Sequence, residues 1–181
     1  MLHLKNITAG NPKTAEQYQM TKQHGITWLF SEGDQNWYEE LKNFASDTIK
    51  MVYTGDGRVV WVGKDVTGIE PRNASVIEVP DITANRRITV PGYWFYRDDK
   101  FVFDYKLKAE DERDALLQRV SIMTSEWEKD LLLGLISDDD REKLKAYRIY
   151  AKSLQAMDFS TITDKSSYNA IEWPVSLEAS S

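Results

Sequence analysis

Asp138-Asp139-Asp140 is a run of three carboxylates, a residue type that can hold a divalent cation. A calcium loop also needs oxygen ligands at fixed spacing and a glycine for its sharp turn, and neither follows here. Ser137 stands immediately before the run. The same residues therefore read as the capped first turn of a helix, where the helix dipole favours negative charge. Glu39-Glu40 beside Trp37-Tyr38 has the residue types of a glycosidase site. That chemistry needs two carboxylates facing one sugar bond, and adjacent residues face apart in a strand and sit about 100° apart in a helix. A polar loop with two anchoring aromatics is the expected reading. His3 and His24 have no second histidine at ligand spacing. Gly55-Asp56-Gly57 has no following Gly-Lys-Ser/Thr, so it is a turn and not a phosphate loop. No hydrolase, kinase or dinucleotide signature occurs, and no cysteine is present. We expect no enzyme activity, no cofactor and no metal.

Two groups remain that could recognise a partner. Arg86-Arg87 follows the run from Val79 to Asn85, and paired arginines can bind carboxylates on another molecule as well as line a solvated turn. The aromatic residues between 93 and 105 exceed what a small core needs, and Trp94 and Tyr96 share one strand face on which a sugar could stack.

The elements that must position these groups follow from composition and periodicity. The chain has 181 residues, a hydrophobic content of 41% and an aromatic content of 12%, enough for a packed core. Its net charge of −6 argues against nucleic acid as a partner. The N-terminal residues lack a secretory pattern, and the longest apolar run, Leu131 to Ile136, is far short of a membrane span. We expect a soluble protein of a reducing cytoplasm, without membrane insertion.

Residues 25–31, 49–53, 58–62 and 75–79 read as strands, and Asp56-Gly57 closes a hairpin between the second and third. Residues 93–105 form a second hairpin around Asp98-Asp99. Thr14 to Lys22 reads as a short helix capped by Thr14. From about residue 106 the period becomes helical. One helix spans about 108–133, with Leu116, Val120, Met123, Trp127 and Leu131 on one stripe. Gly134 ends it, Ser137 starts the next over 138–157, and Tyr147 lies on the second stripe. A stop and a start this close force an antiparallel helical hairpin. Trp173 in the polar tail reads as a local anchor.

The expected class is α+β. A small antiparallel β-rich domain over 1–90 precedes a domain over 91–181, which holds the 93–105 hairpin, the two helices and the Trp173 tail.

Several motifs in order carry a family resemblance. They are Met1-Leu-His-Leu-Lys-Asn6, Asn11-Pro-Lys-Thr14, Glu16-Gln-Tyr18, Asn36-Trp-Tyr-Glu-Glu40, Asp47-Thr-Ile-Lys50 and the nine-residue run from Val79 to Arg87. Leu133-Gly134, Ser137 to Glu142, Lys145-Ala-Tyr-Arg148 and Glu172-Trp-Pro174 continue the pattern. The chain resembles, over essentially its whole length, the tail fibre assembly proteins of tailed bacteriophages, closest to the Mu-like type. It departs from them in lacking a Trp near Tyr147 and in the longer tail before Glu172.

The resemblance implies a chaperone that binds the C-terminal region of a trimeric tail fibre and promotes its folding and oligomerisation. It implies that the β-rich part recognises the fibre and that the helical part serves assembly and self-association. It also implies action in the bacterial host cytoplasm, with some members retained at the fibre tip within reach of host lipopolysaccharide. On that basis the expected fibre contacts are Trp28, Trp37, Tyr38, Trp61 and Arg86, chosen as aromatic or Arg. Leu116, Val120, Met123, Trp127, Leu131, Tyr147 and Trp173 are the expected packing or oligomerisation set. A glycan-binding role at the virion tip, through Trp94 and Tyr96, is the alternative.

Overall fold

The computed structural model describes residues 1–176. Residues 177–181 of the expected tail lie outside them. The protein is α+β, and its chain divides into two compact units, Met1–Phe103 and Asp104–Ser181.

The first unit is built on a five-stranded antiparallel sheet. Its strands are β1 (His3–Gly10), β2 (Trp28–Phe30), β3 (Thr48–Thr54), β4 (Val59–Gly63) and β5 (Ala74–Pro80), in the order β2-β1-β5-β3-β4. Helix α1 (Ala15–His24) starts at Thr14, whose side chain accepts from the Gln17 N–H. A single turn, α2 (Trp37–Glu40), is capped by Asn36 and runs into a 3-10 turn over Leu41–Asn43. The expected polar loop is therefore helical, because the Asn36 side chain satisfies the first backbone donors.

Both faces of the sheet are covered. Leu4, Ile7, Leu29, Trp37, Val52 and Val76 form one buried cluster. Ile49, Met51, Val59, Val79, Ile88 and Trp94 form another. Successive residues of a strand point to opposite faces, so Met51 and Val52 fall in different clusters and β3 is buried through its middle.

Two buried charges sit opposite each other in this sheet, Lys50 on β3 and Glu78 on β5. Glu78 accepts from the Leu2 N–H at 2.9 Å, the Ala45 N–H at 2.7 Å and the Thr48 hydroxyl at 2.7 Å. Lys50 donates to the carbonyls of Ala45 and Thr48. Burial pushes the Glu78 carboxyl up, but these donors and the Lys50 charge outweigh it and hold it below its ordinary value.

The second hairpin, β6 (Trp94–Arg97) and β7 (Lys100–Phe103), turns at Asp98 and Asp99, both at positive φ as a two-residue turn demands. It belongs to the first unit, not to the C-terminal segment beginning at 91. The Tyr96 N–H bonds to the Gly57 carbonyl, and Trp94, Phe101 and Phe103 join the second cluster. Before it lies one further turn, α3 (Thr83–Arg86).

The second unit opens with α4 (Tyr105–Leu133), capped by Asp104. Tyr105, which its aromatic neighbours place in the hairpin, is instead the first helical residue. Gly134 takes φ +70° at the C-cap, and the Leu135 N–H closes on the Asp130 carbonyl. Ser137 then caps α5 (Asp138–Gln155), its hydroxyl donating to the Asp140 carboxylate and accepting the Asp140 N–H. Val120, Tyr150, Ala151 and Leu154 form the core, with Leu116, Tyr147 and Trp173 packed on it. Trp173 also lies 5.8 Å from the Phe159 ring, so the tail is anchored within this unit. A last turn, α6 (Lys165–Asn169), places the Tyr168 hydroxyl where it donates to Glu112 at 2.5 Å and accepts from Lys108.

Candidate functional site

Trp28 ends up at the start of the edge strand β2, and Tyr38 in the α2 turn that follows. Their rings meet edge to face at 5.8 Å. The Trp28 indole N–H donates to the Thr21 hydroxyl at 2.7 Å and the Tyr38 hydroxyl to the Thr27 carbonyl at 3.1 Å. The Trp28 ring is thereby held against α1 and the Tyr38 ring against the segment just before β2. They line a cleft of about 520 Å³ with Met20 and Ile26. Its rim carries Glu70 and Arg72, paired at 2.6 Å. Burial first, and then the Glu70 charge, push the Tyr38 phenol up, so it stays a neutral donor. Met20 and Tyr38 are 37% and 39% exposed, so this apolar concavity opens to solvent.

The other expected fibre contacts do not join this cleft. Trp37 is 1% exposed and packs against Phe44 at 5.9 Å, so it is a core residue and offers no surface. Trp61, on the outer strand β4, is half-buried against the first cluster. Arg86 is bonded to the Asp81 carboxylate at 2.7 Å, and Lys64 reaches the same carboxylate at 2.7 Å. Hydrogen bonds from Arg86 and Lys64 hold the Asp81 carboxyl down at about 2.

Trp94 is 8% exposed, with Phe103 edge-on at 5.2 Å and the Arg87 guanidinium 5.3 Å from its ring centre. Trp94 is therefore mostly buried and reaches the surface as one lining residue of a cavity, not as an open platform for a sugar. Tyr96 lies among Tyr53 at 4.9 Å, Phe101 at 5.0 Å and His3 at 5.5 Å. Burial, followed by the hydrogen bond to Asp99, pushes its phenol up to about 12. The His3 ring, lone in sequence, shares a 2.7 Å hydrogen bond with the Tyr53 hydroxyl. Burial and then the Lys5 charge lower its pKa.

In the second unit the expected stripe divides. Val120 is core, Leu116 and Trp173 flank a groove, and Trp127 lies tilted against Tyr147 at 6.0 Å. Met123 and Leu131 are 37% and 46% exposed. Leu132, Leu133 and Leu135, off the stripe, are 87%, 71% and 72% exposed around Gly134. Their signal in the sequence is an apolar run that extends past the stripe into a turn. Among the described residues no cluster of metal-ligating side chains occurs, and no helix is long and apolar enough to cross a membrane. The described surface carries an aromatic-lined cleft in one unit and an exposed leucine-rich turn in the other.

Residues 39–178 match the family described as Caudovirales tail fibre assembly protein, lambda gpK. Tail fiber assembly protein U′ of Escherichia phage Mu is 48% identical over 168 residues, 90% of this chain and 95% of that protein. Tail fiber assembly protein U′ of Escherichia phage P1 is 46% identical over the same shares. The probable tail fiber assembly protein of Escherichia phage P2 is 40% identical over 87% of this chain and 94% of its own.

Proposed function

From the premise that this chain belongs to the tail fibre assembly family of the Caudovirales, with a role in tail fibre assembly, we propose that it is a chaperone for the C-terminal tip of a trimeric fibre. The first unit recognises the tip, and the helical unit supports assembly. Intertwined β fibres fold slowly and expose apolar surface and unpaired edges while they do. A protein that covers those surfaces suppresses aggregation and favours the correct trimer. Binding supplies the energy, so no nucleotide is needed, and the work is done in the host cytoplasm.

The observation that carries this reading is the Trp28–Tyr38 cleft. An aromatic-lined concavity with a charged pair on its rim has the composition of a protein-binding hot spot. Trp61 and Arg86 extend the proposed contact around the first unit. The experiment is co-expression with the C-terminal fragment of the tail fibre from the same genome, purified through a tag on the fibre. A soluble trimeric fibre that carries this protein is the expected result. A fibre that folds equally well without it would overturn the reading.

A further inference from the structure

The nine-residue run from Val79 to Arg87 builds one wall of a second cavity, of about 300 Å³, in the first unit. Its apolar lining is Ile77 and Val79 from β5, Trp94 from β6 and Phe101 from β7. Arg87 lines it from the α3 side and Lys100 from the hairpin side. The two adjacent arginines differ. Arg86 is committed to Asp81, whereas the Arg87 guanidinium contacts the Trp94 ring and has no hydrogen-bond or ion-pair partner among the described residues. The Lys100 ammonium also has none there. The one anion in the lining, Asp99, accepts the Tyr96 hydroxyl at 3.2 Å. The lining is therefore net cationic on a chain whose net charge is −6.

An apolar seat with a cation contributed from each side fits a ligand with an apolar body and one carboxylate. A chain running through so small a cavity would bury peptide groups on both sides of its acidic residue, while in the lining the Asn85 side-chain amide N–H and the Tyr96 hydroxyl are already given to the Pro80 carbonyl and Asp99. A chain end brings one flanking peptide group and its own carboxylate. Resting on the chaperone reading above, we infer that this cavity captures the free C-terminus of the fibre chain, its last apolar side chain seated among Ile77, Trp94 and Phe101 and its carboxylate held by Arg87 and Lys100.

The test measures binding of the full chain to the fibre's C-terminal fragment by titration calorimetry. The fragment is used with its native end and with that end extended by Gly-Ser-Gly-Ser. The extension is expected to weaken binding at least about tenfold, the loss for a charge-assisted contact. Arg87→Gln with Lys100→Gln should weaken the native fragment similarly and erase the difference between the two ends. Lys42→Gln, a cation elsewhere on the unit, should change nothing. Equal binding of native and extended fragments overturns the inference and leaves the chaperone reading standing. If neither fragment binds, both fall. The extension arm needs no variant of this chain, so misfolding of the double variant cannot mask the outcome.

Discussion

Tyr96 donates its backbone N–H to the Gly57 carbonyl at 2.7 Å, and a Cβ on Gly57 would lie 2.5 Å from the Tyr96 carbonyl oxygen. The β3–β4 turn and the second hairpin thus meet backbone to backbone, at a glycine with φ +89°. This contact explains why β6 and β7 belong with the sheet. It also fixes one wall of the cavity that Arg87 and Lys100 line.

Gly57→Ala is expected to destabilise the protein by about 2 kcal/mol, through the left-handed backbone and the lost approach to Tyr96. Urea unfolding measures it, and near-UV circular dichroism should report loosened packing of Trp94 and Tyr96. A change under about 0.5 kcal/mol, the range of ordinary surface substitutions, would show that the turn is not a seat for the hairpin.

Trp37 and Tyr38 are neighbours with opposite roles. Trp37→Ala empties a buried site and should cost about 3–5 kcal/mol of stability. Tyr38→Ala removes a ring from an open cleft and should leave most of the stability intact while weakening fibre capture about tenfold or more. Paired denaturation and pull-down measurements separate the two. Equal effects of both variants on stability would remove the cleft as a distinct binding surface.

Glu78 makes stability depend on acid. Its folded pKa lies below the ordinary 4.5, because donated hydrogen bonds outweigh burial. The unfolded chain therefore takes up this proton first, so the contribution is complete above about 4.5 and is lost as pH falls toward the folded value. Glu78→Gln should reduce stability at neutral pH by about 1–3 kcal/mol, since its amide presents donors to donors. It should also flatten this part of the acid limb. Denaturation midpoints between pH 6 and 3 would reveal an unchanged slope if Glu78 were not the group responsible.

Local signals in the sequence were strong where a cap or turn dictates structure. Thr14, Gly134, Ser137 and Asp98-Asp99 each take the conformation their chemistry requires. The interior strand β1 is not legible. Asn6 adopts φ +48° at a bulge, so the buried residues Leu4 and Ile7 are three apart and the two-residue period is broken. The allegiance of the second hairpin was hidden for another reason: it depends on a backbone contact at Gly57, which side-chain patterning does not record. Of the expected contacts, Trp28 and Tyr38 converge through the β2–α2 connection. Residue type alone points to Trp37, and type does not distinguish a core tryptophan from an exposed one.

The leucines around Gly134 carry the last prediction. Leu132, Leu133 and Leu135 face solvent at the α4–α5 turn, where they add nothing to the core formed by Val120, Tyr150 and Leu154. We expect an exposed apolar group of this kind to serve as a contact surface. Self-association through it should make the isolated protein's apparent mass rise with concentration in light scattering. Replacing all three by Gln should abolish that rise while shifting stability by less than about 1 kcal/mol, because no buried partner is lost. A rise that persists in the triple variant would move the contact to the grooves beside Leu116 and Leu131. A strict monomer in the unsubstituted protein would leave the leucine turn to the fibre alone.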